Sequence, residues 1–477
     1  MSLSKKYQVS VNRQVTMIRA GLLFSTLSIF PALLGWYQLW FGLTPAQEIN
    51  VAIALVVSYL WVTELIPLYV TGFLVLFLEL IWLIPGWGPG APKTITFLSC
   101  YFSETILLFL GGFVISSAIR FYGLDVSIAS FVIKNTKGSV FFLVLSLGFA
   151  TAFLSCFMNN TATAAMMLGL VSSMMKSLEE SSPLRKSILF MVPFSANLGG
   201  IGTPVGTLPN VIGIAYLQEK GFQIGFLDWM AFAFPVFILS VFLLAGILYI
   251  VYLKKETGIQ SIQRIQVQEP NSNHSRKKRY LSILVIIFTI IGWITSDWHG
   301  ISNGTVALFP VIVFFGFSLL DLNEFRNLSW DVLILMGGGI ALGKAFEETG
   351  LAKHFVSLFM LGDSSQLGLF LFFSILSLLL SCFLSNTSVA NLILPITMGL
   401  PTDLILPAAI GATIGASLAM PLPVSTPPNA LAFSYGGIRS LEMVKIGGTI
   451  SILAWVIFTL VGGLILHQLS IVDFSNF

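Results

Sequence analysis

An all-α polytopic membrane protein is the fold class this sequence predicts, with eleven transmembrane crossings and two re-entrant hairpins arranged as an inverted repeat. Three observations predict it. Of the 477 residues, 56% are apolar and only 9% charged, against roughly a quarter charged in an average soluble domain. Many apolar runs exceed the roughly 20 residues that a helix needs to cross a bilayer. The chain also repeats itself. Ser155-Cys156-Phe157-Met158-Asn159-Asn160-Thr161 returns 226 residues later as Ser381-Cys382-Phe383-Leu384-Ser385-Asn386-Thr387, and Gly111-Gly112 returns at the same spacing as Gly337-Gly338. Each copy keeps a polar corner inside greasy sequence. Lipid cannot satisfy polar backbone, so such a corner survives at depth only where it is buried or lines a cavity.

Taken in order, the crossings fall at 16–41, 50–66, 67–85, 105–122, 188–217, 226–253, 280–296, 303–320, 331–347, 404–434 and 443–467. Met1 to Arg19 is polar and basic, and the apolar run behind it is longer than a signal-peptide core, so it reads as the flank of the first crossing. The stretches 138–176 and 365–400 hold the two corners near their middles and read as hairpins that enter and leave on one side. Charge supports that count. With the N-terminus in the cytoplasm, 19 of the 24 Lys and Arg residues fall in cytoplasmic segments, as the positive-inside rule requires. The C-terminus then lies on the extracellular or periplasmic side of the plasma (inner) membrane. Five crossings separate the start of the fourth from the start of the ninth, so the two copies enter from opposite faces.

The chain accordingly divides into 1–104 (crossings 1–3), 105–253 (first copy), 254–279 (a linker), 280–330 (crossings 7–8) and 331–477 (second copy). The linker carries seven basic residues. Its Arg276-Lys277-Lys278-Arg279 cluster reads as a positive-inside anchor, with contact to anionic lipid as the alternative. Cys100, Cys156 and Cys382 form no disulfide pattern, and a net charge of +3 offers no argument for a nucleic-acid partner.

Each corner has a downstream partner. The first copy carries Ser-Ala-Asn-Leu-Gly-Gly-Ile-Gly-Thr-Pro-Val-Gly-Thr-Leu-Pro-Asn over 195–210, and the second carries Gly-Ala-Ser-Leu-Ala-Met-Pro-Leu-Pro-Val-Ser-Thr-Pro-Pro-Asn over 415–429. Glycine frees the backbone, while proline lacks a donor and blocks helix continuation, so both runs predict a helix broken at mid-membrane. Free N–H groups at a break favour anions. Free carbonyls with Ser, Thr and Asn oxygens suit a hard cation such as sodium. No Arg, Lys, His, Asp or Glu lies in any of these motifs. An anion held here needs cations beside it, and each ion lowers the cost of desolvating the other. Outside the motifs, Glu64 is an acid between apolar runs, readable as a functional group or as a helix-end hydrogen-bonding residue. Arg120 and Lys344 read as snorkelling anchors. The four histidines are scattered, and no nucleophile–base pair or metal cluster emerges, which argues against an enzyme.

These residues resemble the divalent anion/sodium symporter family of dicarboxylate, citrate and sulfate carriers. The resemblance is carried by Asn159-Asn160-Thr161, Ser385-Asn386-Thr387, Thr426-Pro427-Pro428-Asn429, Thr207-Leu208-Pro209-Asn210 and Thr63-Glu64-Leu65-Ile66-Pro67. It implies a homodimer in which a transport domain moves as an elevator against a scaffold, formed here by crossings 1–3 and 7–8. It further implies a first sodium site of Ser155, Asn159, Asn160 and Gly199, and a second of Ser381, Leu384 (by its carbonyl), Asn386 and Ser425. Asn160, Thr161, Gly200, Asn386, Thr387, Thr426 and Pro427 would face the substrate. One departure is Asn159, which stands where the family has serine. The expected activity is sodium-coupled symport of a small dianion such as succinate, malate or fumarate by alternating access. A sodium-independent dicarboxylate exchanger, and citrate or sulfate as substrate, are the alternatives.

Overall fold

The computed structural model describes residues 19, 21, 23–134, 139–254, 275–358, 365–469 and 471–472. The ends at Met1 and Phe477, and residues 255–274 of the expected linker, lie outside the described residues. Every regular element among the described residues is helical. Six helices among the described residues are long and apolar enough to cross a membrane: Pro45–Thr63, Leu68–Trp87, Thr94–Phe121, Phe226–Leu253, Leu322–Glu348 and Ser440–Gln468. Leu23–Leu33, Val140–Ser155, Asn303–Gly316, Gln366–Ser381 and Thr402–Ser417 are apolar but shorter.

The stretches expected to be hairpins are paired helices around a tight corner. Val140–Ser155 is followed by Asn160–Leu170, and Gln366–Ser381 by Asn386–Thr397. The entry of each is set by a serine N-cap, Ser139 accepting from the Phe142 N–H and Ser365 from the Gly368 N–H. The helices expected to be broken are broken. Pro183–Gly200 stops and Leu208–Glu219 resumes, as Thr402–Ser417 stops and Pro427–Ser434 resumes. Both resumed helices start with proline in the first turn, where its missing N–H costs nothing. Thr207 (φ −144°, ψ 151°) and Thr426 (φ −142°, ψ 148°) precede them in the same extended conformation.

The described residues fall into two compact units. One gathers those of Met1–Ile106, Ser329–Ser364 and Asn391–Ile405; the other gathers those of Leu107–Leu328, Ser365–Ala390 and Leu406–Phe477. In the first unit, Leu68–Leu78 packs along Trp330–Glu348. The Tyr101 hydroxyl donates to Gly72 O at 2.6 Å. Gln47 and Asn50 donate to Thr349, at 3.0 and 3.1 Å. Glu64 ends Pro45–Thr63 as an exposed residue at φ 50°, its N–H bonded to Leu60 O.

The second unit is built around Pro183–Gly200. That helix packs against Val140–Ser155, Asn160–Leu170, Phe226–Leu248 and Pro427–Ser434. Gly199 lies so close to the Ala152 backbone that no Cβ would fit, and Gly415 lies in the same way on Ser374. Small residues let helices approach closely where lipid supplies no hydrophobic drive between them. The buried Trp229 indole donates to Ile201 O at 3.0 Å, which stitches the first break to Phe226–Leu248.

Candidate functional site

The first corner is held by its own side chains. Ser155, fully buried, donates its hydroxyl to Asn160 Oδ1 at 2.7 Å. Asn159 turns its side-chain oxygen onto the N–H groups of Thr161 (2.9 Å) and Ala162 (3.3 Å), capping the second hairpin helix. In the other copy the serine at the equivalent place, Ser385, accepts from the Ser388 N–H at 3.2 Å. Asparagine and serine are equally good N-caps, so the departure at Asn159 preserves the local chemistry. The cap also occupies the Thr161 N–H, leaving that residue its hydroxyl. Gly200 lies under Asn160, where a Cβ would come within 2.5 Å of Asn160 Oδ1. The Gly199 carbonyl accepts the Gly202 N–H at 2.9 Å and the Cys156 thiol at 3.2 Å.

The second corner repeats this arrangement. Ser381, also fully buried, has its hydroxyl 2.8 Å from Asn386 Oδ1 and 2.7 Å from Ala416 O. Thr387 is buried beside Asn386, Leu384 is half-buried in the turn, and Pro427 is exposed at the start of its helix. Ser425 donates to Cys382 O at 3.0 Å and accepts the Leu422 N–H at 3.1 Å. In the first copy the place of Ser425 is taken by Gly206, and the hydroxyl that reaches the corresponding Cys156 carbonyl comes instead from Thr203. One bond is kept, from two different positions.

Each break is closed by an asparagine that the resemblance does not assign. Asn210 Nδ2 faces Gly200 O, Ile201 O and Thr203 O at 3.1, 3.2 and 2.8 Å. Asn429 Nδ2 faces Met420 O and Leu422 O at 3.1 and 3.2 Å. Their shared place, three residues after Thr207 and Thr426, was the available signal. Asn197 joins the copies by donating to Thr426 Oγ1 at 3.0 Å and reaching Asn429 Oδ1 at 3.3 Å. In the second copy Gly-Ala-Ser-Leu over 415–418 sets Ser417 opposite it, so no repeated asparagine pointed to it.

The structure thus brings Ser155, Asn160, Gly199 and Gly200 together, and Ser381, Asn386 and Ser425 together, with Thr426 bridged to the first group through Asn197. Helices starting at Asn160, Leu208, Asn386 and Pro427 present their N-termini from the corners and breaks, where partial positive charge accumulates. Amide and hydroxyl oxygens supply the complementary acceptors. No cluster of three His, Cys, Asp or Glu side chains exists among the described residues. Such a set can hold a cation and an anion side by side without a fixed charge. If Gly200 makes room for Asn160, Gly200→Ala should displace that amide and cut uptake steeply, at a stability cost of about 1–3 kcal/mol. Gly169→Ala, on the same hairpin with nothing within 4 Å of its Cβ, should leave uptake unchanged. Parallel uptake and thermal-unfolding measurements on the two variants check this.

A sequence family described as "Citrate transporter" matches residues 58–404 and 298–472. An uncharacterized transporter of Haemophilus influenzae is 30% identical over 440 residues, covering 88% of this chain and 92% of that protein. The sodium-dependent dicarboxylate transporter SdcS of Staphylococcus aureus strain USA300 is 30% identical over 503 aligned positions, covering 96% of this chain and 92% of that one. An inorganic phosphate transporter of Saccharomyces cerevisiae is 28% identical over 425 residues, which is 85% of this chain and 45% of that protein. Among solved structures, the YdaH transporter of Alcanivorax borkumensis superposes with a TM-score of 0.54 at 13% identity, covering 85% of this chain and 99% of that chain. That likeness is one of fold.

Proposed function

The chain belongs to the citrate-transporter family of secondary carriers, of the divalent anion/sodium symporter type, and from that premise we propose that it imports a small dianion, a C4-dicarboxylate, together with sodium. The observation that carries this reading is the charge-free pair of corners, each a buried serine hydroxyl on an asparagine Oδ1 beside a broken helix. A dianion there meets amides, hydroxyls and helix N-termini, and sodium supplies the rest of the neutralising charge. Ser155, Asn160 and Gly199, with Asn159 through its backbone, would surround one sodium. Ser381, Leu384, Asn386 and Ser425 would surround the other. Asn160, Thr161, Gly200, Asn386, Thr387, Thr426 and Pro427 would contact the anion. The similarity to the staphylococcal sodium-dependent dicarboxylate transporter supports both cargo and coupling.

The matched bonds of the two copies support a repeat, and the loop-charge asymmetry supports its inversion within eleven crossings and two hairpins. Alternating access by an elevator movement, in a homodimer, completes the reading. The test is uptake of labelled succinate, citrate, sulfate and phosphate into proteoliposomes, each with an inward sodium gradient or with choline in its place. Succinate uptake that rises steeply with sodium and vanishes in choline is expected. Uptake in choline driven only by internal dicarboxylate would make the protein an exchanger, and uptake of another anion in preference to succinate would replace the cargo.

A further inference from the structure

Within the second compact unit lies a half-open cavity of about 520 Å³ that the transport reading does not use. Its walls are apolar, among them Ile119, Phe131, Phe153, Phe157, Ile287 and Ile290, and its only polar lining residues are Ser127 and Arg279. A pocket for a soluble metabolite carries several convergent polar groups. This one has a long greasy wall and one cation at its end. Arg279 donates to Ser127 Oγ at 2.6 Å, and that hydroxyl donates to Gly123 O at 2.8 Å, so the guanidinium is held at the rim. Arg276, Lys277 and Lys278 stand exposed in the preceding residues. None of the four basic side chains has a carboxylate partner among the described residues.

The dimensions fit one class of occupant. On the helix Arg276–Ile294 the lining residues run from Arg279 to Ile290, a rise of about 16 Å at 1.5 Å per residue. Half of a bilayer's hydrocarbon core is about 15 Å. A basic end and an apolar wall one leaflet deep match an acyl chain beneath an anionic headgroup. We propose that this cavity binds one anionic phospholipid, with a chain between Phe131, Phe153 and Ile287 and the phosphate on Arg279 and its basic neighbours. Phe157 belongs to the first corner itself, three residues before Asn160, so the chain end would brace the back of the candidate site.

The test is native mass spectrometry of the full-length protein with phosphatidylglycerol, phosphatidylcholine of the same chains, or oleate. Phosphatidylglycerol is expected to be retained over phosphatidylcholine. Arg279→Gln should lower its retention about fivefold, the contribution of one basic residue near a membrane surface, without changing retention of phosphatidylcholine. Arg279→Lys should restore most of it. Ile287→Trp, which fills the cavity, should lower retention of both lipids while thermal unfolding stays cooperative. Equal retention of the two phospholipids with no effect of Arg279→Gln would overturn the proposal and leave an unspecific lipid surface. Retention of oleate but not phosphatidylglycerol would overturn it in favour of a free fatty acid.

Discussion

Asn210→Leu is expected to destabilise the protein at the broken helix around which the second unit packs. The two Nδ2 hydrogens of Asn210 serve three backbone carbonyls of the break, all within 3.2 Å and buried. Leucine has a similar size and no donor. Ile201 O keeps the Trp229 indole and Thr203 O keeps the Gly206 N–H, so Gly200 O is the carbonyl left bare where water does not reach, at about 1–3 kcal/mol. Native membrane and soluble domains have only about 5–15 kcal/mol to lose. Asn210→Asp should fare no better, because it keeps the shape but points acceptors at acceptors. Asn429→Leu should follow with a similar loss, because Leu422 O keeps the Ser425 N–H and Met420 O is left bare. Thermal unfolding in detergent, read by size-exclusion homogeneity, measures all three. A wild-type midpoint for Asn210→Leu would mean that the break holds its shape without the asparagine.

Asn386→Ala carries the second large expectation, on transport rather than on stability. Asn386 Oδ1 accepts from Ser381, yet Ser381 keeps Ala416 O at 2.7 Å when that acceptor is gone. The corner should therefore fold. What is removed is a group proposed to touch sodium and dianion at once. Hydrogen bonds to charged groups are worth about 1.5–3 kcal/mol each, so losing two should weaken coupled binding by about a hundredfold or more. Asn160→Ala should do the same from the other corner, with the added cost of stranding the Ser155 hydroxyl. Asn386→Asp separates the two ligands. It keeps an oxygen for sodium but sets a negative charge against the dianion, so sodium dependence should persist while anion affinity falls. Substrate and sodium titrations of uptake in proteoliposomes decide the matter. Unchanged values for both alanine variants would make the corners packing devices.

Much of this architecture was legible because its chemistry is local. The hairpin corners announce themselves as Asn-Thr pairs in apolar sequence, and the breaks as Gly and Pro runs, since each of those residues acts on its own backbone. Repetition then doubled the evidence. Single positions were harder. Asn159 looked like a departure from serine, and only its bonds to the Thr161 and Ala162 N–H groups reveal that both residues do the same capping work. The tie on the Cys156 carbonyl was invisible for a related reason. Thr203 and Ser425 supply it from non-equivalent positions, so comparing the copies residue by residue finds Gly206 opposite Ser425 and no match.

From the sequence alone, then, come the membrane class, the two polar corners, the two broken helices and the absence of fixed charge around them. All of these follow from what each residue does to its own stretch of backbone and to its transfer from water into lipid. The tertiary structure alone decided that Asn197 spans 229 residues to Thr426, that Asn210 and Asn429 clasp the breaks, and that Asn160 rests on Gly200. It also decided that an apolar cavity ends at Arg279. Those are choices of partner. A hydroxyl or amide in the chain can satisfy itself in many places, and only the packing of helices on one another determines which carbonyl comes within 3 Å of it.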